Sequence, residues 1–271
     1  MIGLEQAEQL KVQLLIGALH PEATKALALI QKDLDWLKSI VKERDPAKAM
    51  AKARVCGFTV CPPRGQQMRQ DEIGRGLRSI LDLGVPTAIY QLPQVTLNEM
   101  NPELAADLAL HYGNFLFFKD TSGSDAVALS GKDLGGVFAA RGAEGEYARW
   151  LKSTGGSYDG FLLASANTFA RELHQMIADV TAGRREAARR LSERLTSAVS
   201  EMLSLATGLP DGNPFANGNK AFDHFFAYGP KAASIPPPRL HAGSLLPLKL
   251  IHSAQEILLR EQLMPARGYL E

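Results

Sequence analysis

Two residues stand out for their chemistry. Lys119 ends the apolar run Phe115, Leu116, Phe117, Phe118 in NFLFFKDTSG (114–123). Lysine is among the side chains least often buried, so its place in such a run has two readings. In the first, the ammonium pairs with Asp120 or another carboxylate at a strand end. In the second, apolar surroundings disfavour its charged form, and the neutral amine attacks a carbonyl to give an imine. Tyr90 ends a second apolar run, in PTAIYQLP (86–93). Its phenol is either a packed rim group with a wet hydroxyl or a proton donor and acceptor in a closed site.

Both residues must be carried by strands. The chain alternates short apolar runs with longer amphipathic stretches, and the runs 12–17, 56–63, 86–90, 114–120, 136–142 and 158–167 read as strands. Helices are expected over 21–43, 70–84, 96–113 and 144–156, with a shorter piece within 44–53. Strands that are apolar throughout, separated by helices, imply a parallel sheet covered on both faces. In such a sheet the chemistry gathers at the C-terminal strand ends, where Lys119 and Tyr90 lie on consecutive strands. No G-x-G-x-x-G follows the first strand and no P-loop occurs, so dinucleotide and P-loop readings lose their main support. After Asn167 only helices are expected, over 168–183, 184–208, 221–229 and 244–262. The organisation is thus an α/β part over 1–183 and a helical part over 184–271.

Three segments in order, IYQLPQVT (89–96), FFKDTSGSD (117–125) and DGFLLASAN (159–167), resemble the dihydrodipicolinate synthase / N-acetylneuraminate lyase family. That family has a Tyr-x-x-Pro strand end, a Lys-Asp/Glu-x-x-Gly strand end and a late strand closing on Asn. The resemblance covers roughly 12–183. It implies a TIM-type (β/α)8 barrel with a C-terminal helical extension, and a class I aldolase. Lys119 would form the Schiff base with pyruvate or a related 2-oxo acid, and Tyr90 would relay protons. Thr121 would meet the acceptor or sugar part of the substrate, and Gly142, Ser165 and Asn167 would line the mouth. No cofactor is implied beyond the covalent imine. An aldehyde is the implied second substrate, and a homo-oligomer, dimer or tetramer, the implied assembly.

The chain also departs from the family pattern. A barrel needs eight strands and six are visible. At ~30 residues per βα unit, about 60 residues, the first two units, are expected to be missing. The Gly-[Thr/Ser]-Thr-Gly-Glu loop that binds the pyruvate carboxylate finds no match. Val95 stands where the synthase branch has arginine, and Arg64–Gly65 where the family has paired tyrosines. Arg64 is therefore a candidate carboxylate ligand or an exposed loop arginine. A sugar-acid dehydratase or hydratase-aldolase using the same lysine, and a non-catalytic binding or scaffold protein, are the alternatives.

Composition bounds the rest. The 271 residues carry a net charge of +1, which gives no pull toward nucleic acid or an anionic membrane. The basic cluster 183–190 reads as a solvated helix face. Cys56 and Cys61 have odd spacing, so on a strand their side chains diverge and a disulfide is not expected. With no signal peptide and no apolar run long enough for a bilayer, a cytoplasmic, reducing location is expected, with no metal.

Overall fold

The computed structural model describes residues 2–271. The chain divides into two compact units, one of residues 1–141 with 158–160, the other of 142–157 with 161–271. The helix Ala166–Thr181 thus joins the helical unit instead of the sheet-bearing one. Its buried face, Phe169, Leu173, Met176 and Val180, shares a core with the helix Arg185–Ala206.

The first unit is built on strands β1 (Leu14–Gly17), β2 (Val55–Val60), β3 (Thr87–Gln91), β4 (Phe115–Asp120) and β5 (Phe138–Arg141). A short β6, Gly160–Phe161, completes a six-stranded sheet of order β1-β2-β3-β4-β5-β6. Each neighbouring pair from β1 to β5 is parallel. Consecutive parallel order with intervening helices is the connectivity of a (β/α) barrel. Every expected strand is present, but the last is much shorter than 158–167. Residues 162–165 have left the sheet, and a helix begins at Ala166.

The core of this unit lies between the sheet and its helices. Ile30, Leu34 and Leu37 of the helix Ala23–Val41 and Ile73, Leu77 and Ile80 of the helix Gln70–Leu81 pack in one cluster with Phe58, Ile89 and Phe118 of the strands. Gly57 lets β2 and β3 close: a Cβ there would stand 2.6 Å from the Pro86 carbonyl oxygen, which accepts from Phe58 N–H at 2.9 Å. The expected helix over 96–113 is two pieces, Pro93–Thr96 and Pro102–His111. Its start is not at Thr96. Asn101 is the N-cap, its Oδ1 accepting from Leu104 N–H at 2.8 Å, and Pro102 takes the first helical position. Between 144 and 156 only Tyr147–Trp150 and a 3₁₀ turn, Lys152–Thr154, are helical. Ile2–Leu10, where no element was expected, is a helix.

The second unit is helical. Arg185–Ala206, Pro214–Tyr228 and Leu248–Arg260 bury Leu195, Met202, Phe222, Phe225, Ile251 and Leu258 in one cluster. The helix expected over 221–229 begins earlier because Asn213 caps it, accepting from Phe215 N–H at 2.8 Å. The basic cluster is a solvated face: Arg189 pairs with Glu186 and Glu193, and Arg190 with Glu186, all exposed.

Candidate active site

The sheet register sets Lys119 directly beside Tyr90, and Asp120 beside Gln91. Lys119 and Tyr90 are both half-buried. The Lys119 Nζ stands 4.0 Å from the centroid of the Tyr90 ring, within the distance at which an ammonium is attracted to a ring face. Successive strand residues face opposite ways, so Asp120 turns away from Lys119. Asp120 is fully buried and accepts from Ser122 N–H at 2.9 Å. Among the described residues no carboxylate lies within ion-pair distance of Lys119. The reading in which Asp120 neutralises the lysine is therefore corrected: alternation on the strand puts that carboxyl into a different network.

Cys61 follows β2. Because Val60 pairs with Ile89, one step further sets Cys61 beside Tyr90 in the row that ends at Lys119. Burial pushes its thiol up to about 11, partly opposed by the charge of Lys119. Cys56 is exposed and both cysteines are free. Thr121 extends the ladder past β4, its N–H donating to Gln91 O at 3.0 Å, while its carbonyl accepts from Gln94 Nε2 at 3.0 Å. Its Oγ1 is buried with no hydrogen-bond partner. A hydroxyl in that condition two residues past the lysine is suited to a polar ligand atom.

Below this row lies a second layer that the sequence reading missed. Arg141, which ends β5, forms a two-pronged pair with Asp125, Nε to Oδ1 at 2.9 Å and Nη2 to Oδ2 at 3.0 Å. The Tyr158 hydroxyl lies 2.7 Å from Asp125 Oδ1 and 3.2 Å from Asp120 Oδ2. All four residues are buried. Burial, and next to it the charge of Asp125, holds the Asp120 carboxyl above the ordinary carboxylate range, against the hydrogen bonds from Ser122. Burial beside both carboxylates also raises the Tyr158 phenol. The network closes the loop TSGSD, in which Gly123 takes φ +74 and Asp125 takes φ 53, a left-handed conformation that aspartate tolerates better than most residues. The available signal was Arg141, a charged residue ending an apolar run just as Lys119 does.

The remaining candidates divide between the units. Arg64 is exposed, and its N–H donates to Pro21 O at 2.8 Å. Gly142, Ser165 and Asn167 belong to the helical unit. There Ser165 is buried and held by Glu144, its N–H at 2.9 Å from Oε1 and its Oγ at 2.7 Å from Oε2. Tyr147 OH also donates to Glu144 Oε2, at 2.9 Å. Asn167 is exposed, and its Nδ2 donates to Ala164 O at 2.9 Å. Gly142 is buried. Among the described residues no group of three or more His, Cys, Asp or Glu is arranged to hold a metal ion. No helix among them is long and apolar enough to cross a membrane.

The sequence pattern of the Dihydrodipicolinate synthetase family matches residues 45–210, more than half of the chain and the whole span from β2 through Lys119 and Ser165. The chain belongs to this family. No curated protein matches it. Among solved structures, the dihydrodipicolinate synthase of Bacteroides thetaiotaomicron is 16% identical with a TM-score of 0.68, over 95% of this chain and 78% of that one. A monomeric dihydrodipicolinate synthase variant is also 16% identical, TM-score 0.67, covering 96% and 77%. YagE of E. coli K12, a prophage protein of the dihydrodipicolinic acid synthase family determined in complex with pyruvate, is 18% identical, TM-score 0.64, covering 96% and 78%. At these identities the likeness is one of fold. Family membership supports an enzyme of the aldolase/lyase kind.

Proposed function

We propose that this protein is a Schiff-base lyase acting on pyruvate or a related 2-oxo acid, in aldol cleavage or condensation with an aldehyde. The observation that carries the reading is Lys119 Nζ set 4.0 Å over the Tyr90 ring, with no carboxylate among the described residues within ion-pair distance. In its neutral form that amine is the nucleophile. It adds to the keto carbon, and loss of water leaves a protonated imine. The iminium draws electrons from the neighbouring carbon, which releases a proton to give an enamine. The enamine attacks the aldehyde carbonyl, and hydrolysis of the new imine frees product and lysine. Cleavage is the reverse. Tyr90 relays the protons to and from the substrate oxygen. The reaction needs no cofactor beyond the covalent imine.

The pyruvate bound by YagE supports the substrate class. The buried, unpartnered Oγ1 of Thr121 supports its role as a contact to the substrate's acceptor part. Val95, well exposed two residues after Pro93, offers no guanidinium, which favours an aldehyde without a second carboxylate over aspartate semialdehyde.

The test is reduction of the protein by borohydride in the presence of pyruvate, followed by intact-mass measurement and peptide mapping. A reduced adduct on Lys119, absent in Lys119→Ala, is expected. No adduct with pyruvate or any of a panel of 2-oxo acids would overturn the proposal.

A further inference from the structure

The Tyr158 hydroxyl has one hydrogen and meets two buried carboxylates. It can donate to only one of them. Asp125 is the closer, at 2.7 Å, and the two-pronged pair with Arg141 marks Asp125 as ionised. At 3.2 Å, Asp120 Oδ2 then faces a phenol oxygen whose hydrogen points elsewhere. A hydrogen between these two buried oxygens makes their contact attractive, and with the phenol hydrogen directed at Asp125 it comes from Asp120. The groups around Asp120 agree. On its own strand Lys119 projects from the opposite face. In register on β3 stands Gln91, which is uncharged, and in register on β5 stands Arg141, whose guanidinium is engaged by Asp125. From the following loop come the N–H and hydroxyl of Ser122, which favour the charged form, and the negative charge of Asp125, which with burial opposes it.

We infer that Asp120 carries a proton in the resting protein and donates it to Tyr158, so that the carboxyl adjoining Lys119 on β4 is uncharged. The hydrogen bonds run in one direction, from Asp120 to Tyr158 to Asp125, and end on Arg141. Asp120 is thereby a positioning residue. It anchors the loop that carries Thr121 without adding a negative charge that would hold the proton on the lysine. This consequence for catalysis rests on the reading of Lys119 as the imine-forming residue; the protonation of Asp120 does not.

Infrared spectroscopy of the whole protein at pH 7 tests the protonation. A carbonyl stretch of an un-ionised carboxylic acid, shifting in D₂O and missing in Asp120→Asn, is expected. In Tyr158→Phe the band should move upward, because its acceptor is gone. Absence of the band in the wild-type protein, or an unmoved band in Tyr158→Phe, would overturn the assignment. Should either variant fail to fold, carbon NMR of wild-type protein labelled in its aspartate carboxyls replaces it. One resonance should stay at the acid position through pH 7, and titration of every aspartate in the ordinary acidic range would overturn the inference. The effect on Lys119 is read by its reductive methylation with formaldehyde as a function of pH, which needs no 2-oxo acid. The midpoint should be the same in wild type and Asp120→Asn. A midpoint displaced to lower pH in Asp120→Asn would show that a negative charge had been removed, and would overturn the proposal while leaving the borohydride result untouched.

Discussion

At the scale of single residues, Tyr90 and Lys119 stand side by side on β3 and β4, with Cys61 one residue past the end of β2. If Tyr90 relays protons, Tyr90→Phe should still yield the reduced adduct on Lys119, while turnover falls by about 10²–10⁴, the range typical of a lost general acid–base group. Steady-state rates beside trapping yields check this. The cysteines should differ in reactivity. Burial raises the Cys61 thiol from an ordinary 9.0 to about 11. Near pH 8 its thiolate fraction is therefore about a hundredfold below that of an ordinary thiol, since each pKa unit is tenfold. Iodoacetamide at that pH should label exposed Cys56 first, and Cys61 should begin to react only as the pH rises toward 11. Peptide mapping of the labelled sites reads the order. Lys119 and Tyr90 were legible in the sequence because each ends an apolar run. Asp120 was visible too, but not its direction, which depends on the pleat of β4 and on Tyr158, far along the chain.

At the scale of elements, apolar runs located all six strands, since a strand covered on both faces leaves a continuous hydrophobic signature. Their C-terminal limits were less legible. The run 158–167 stays apolar after leaving the sheet because Leu163 enters a different core, that of the helical unit. Helix starts depended on capping. Asn101 caps Pro102–His111, and Asn101→Ala should cost about 1 kcal/mol, as loss of an N-cap typically does. Urea unfolding monitored by circular dichroism measures it. Thr96, whose hydroxyl lies within donating distance of the carbonyls of Leu92 and Asn98, serves a turn instead of a cap. The sequence Thr-Leu-Asn-Glu fits either use, and only the chain's path past Pro93 selects one.

At the scale of the whole molecule, each compact unit has its own apolar core. In the helical unit Phe222 is almost wholly buried and meets Phe169 edge-on at 5.2 Å. Phe222→Ala should lower the unfolding free energy by about 3–5 kcal/mol, the usual cost of a large buried ring, with the loss read from denaturant curves. The division at Arg141 was not legible from composition, because both units draw on the same apolar residues and differ only in which of them touch. What the sequence determined by itself is local in origin: the order of strands and helices, the parallel sheet, and the lysine and tyrosine at consecutive strand ends. Periodicity, chain length and strand alternation suffice for these. Tertiary structure alone decided which residues meet across many positions. The joining of Asp125, Arg141 and Tyr158 to the carboxyl beside Lys119 is such a result, because a buried charge is tolerated only where partners from distant segments converge on it.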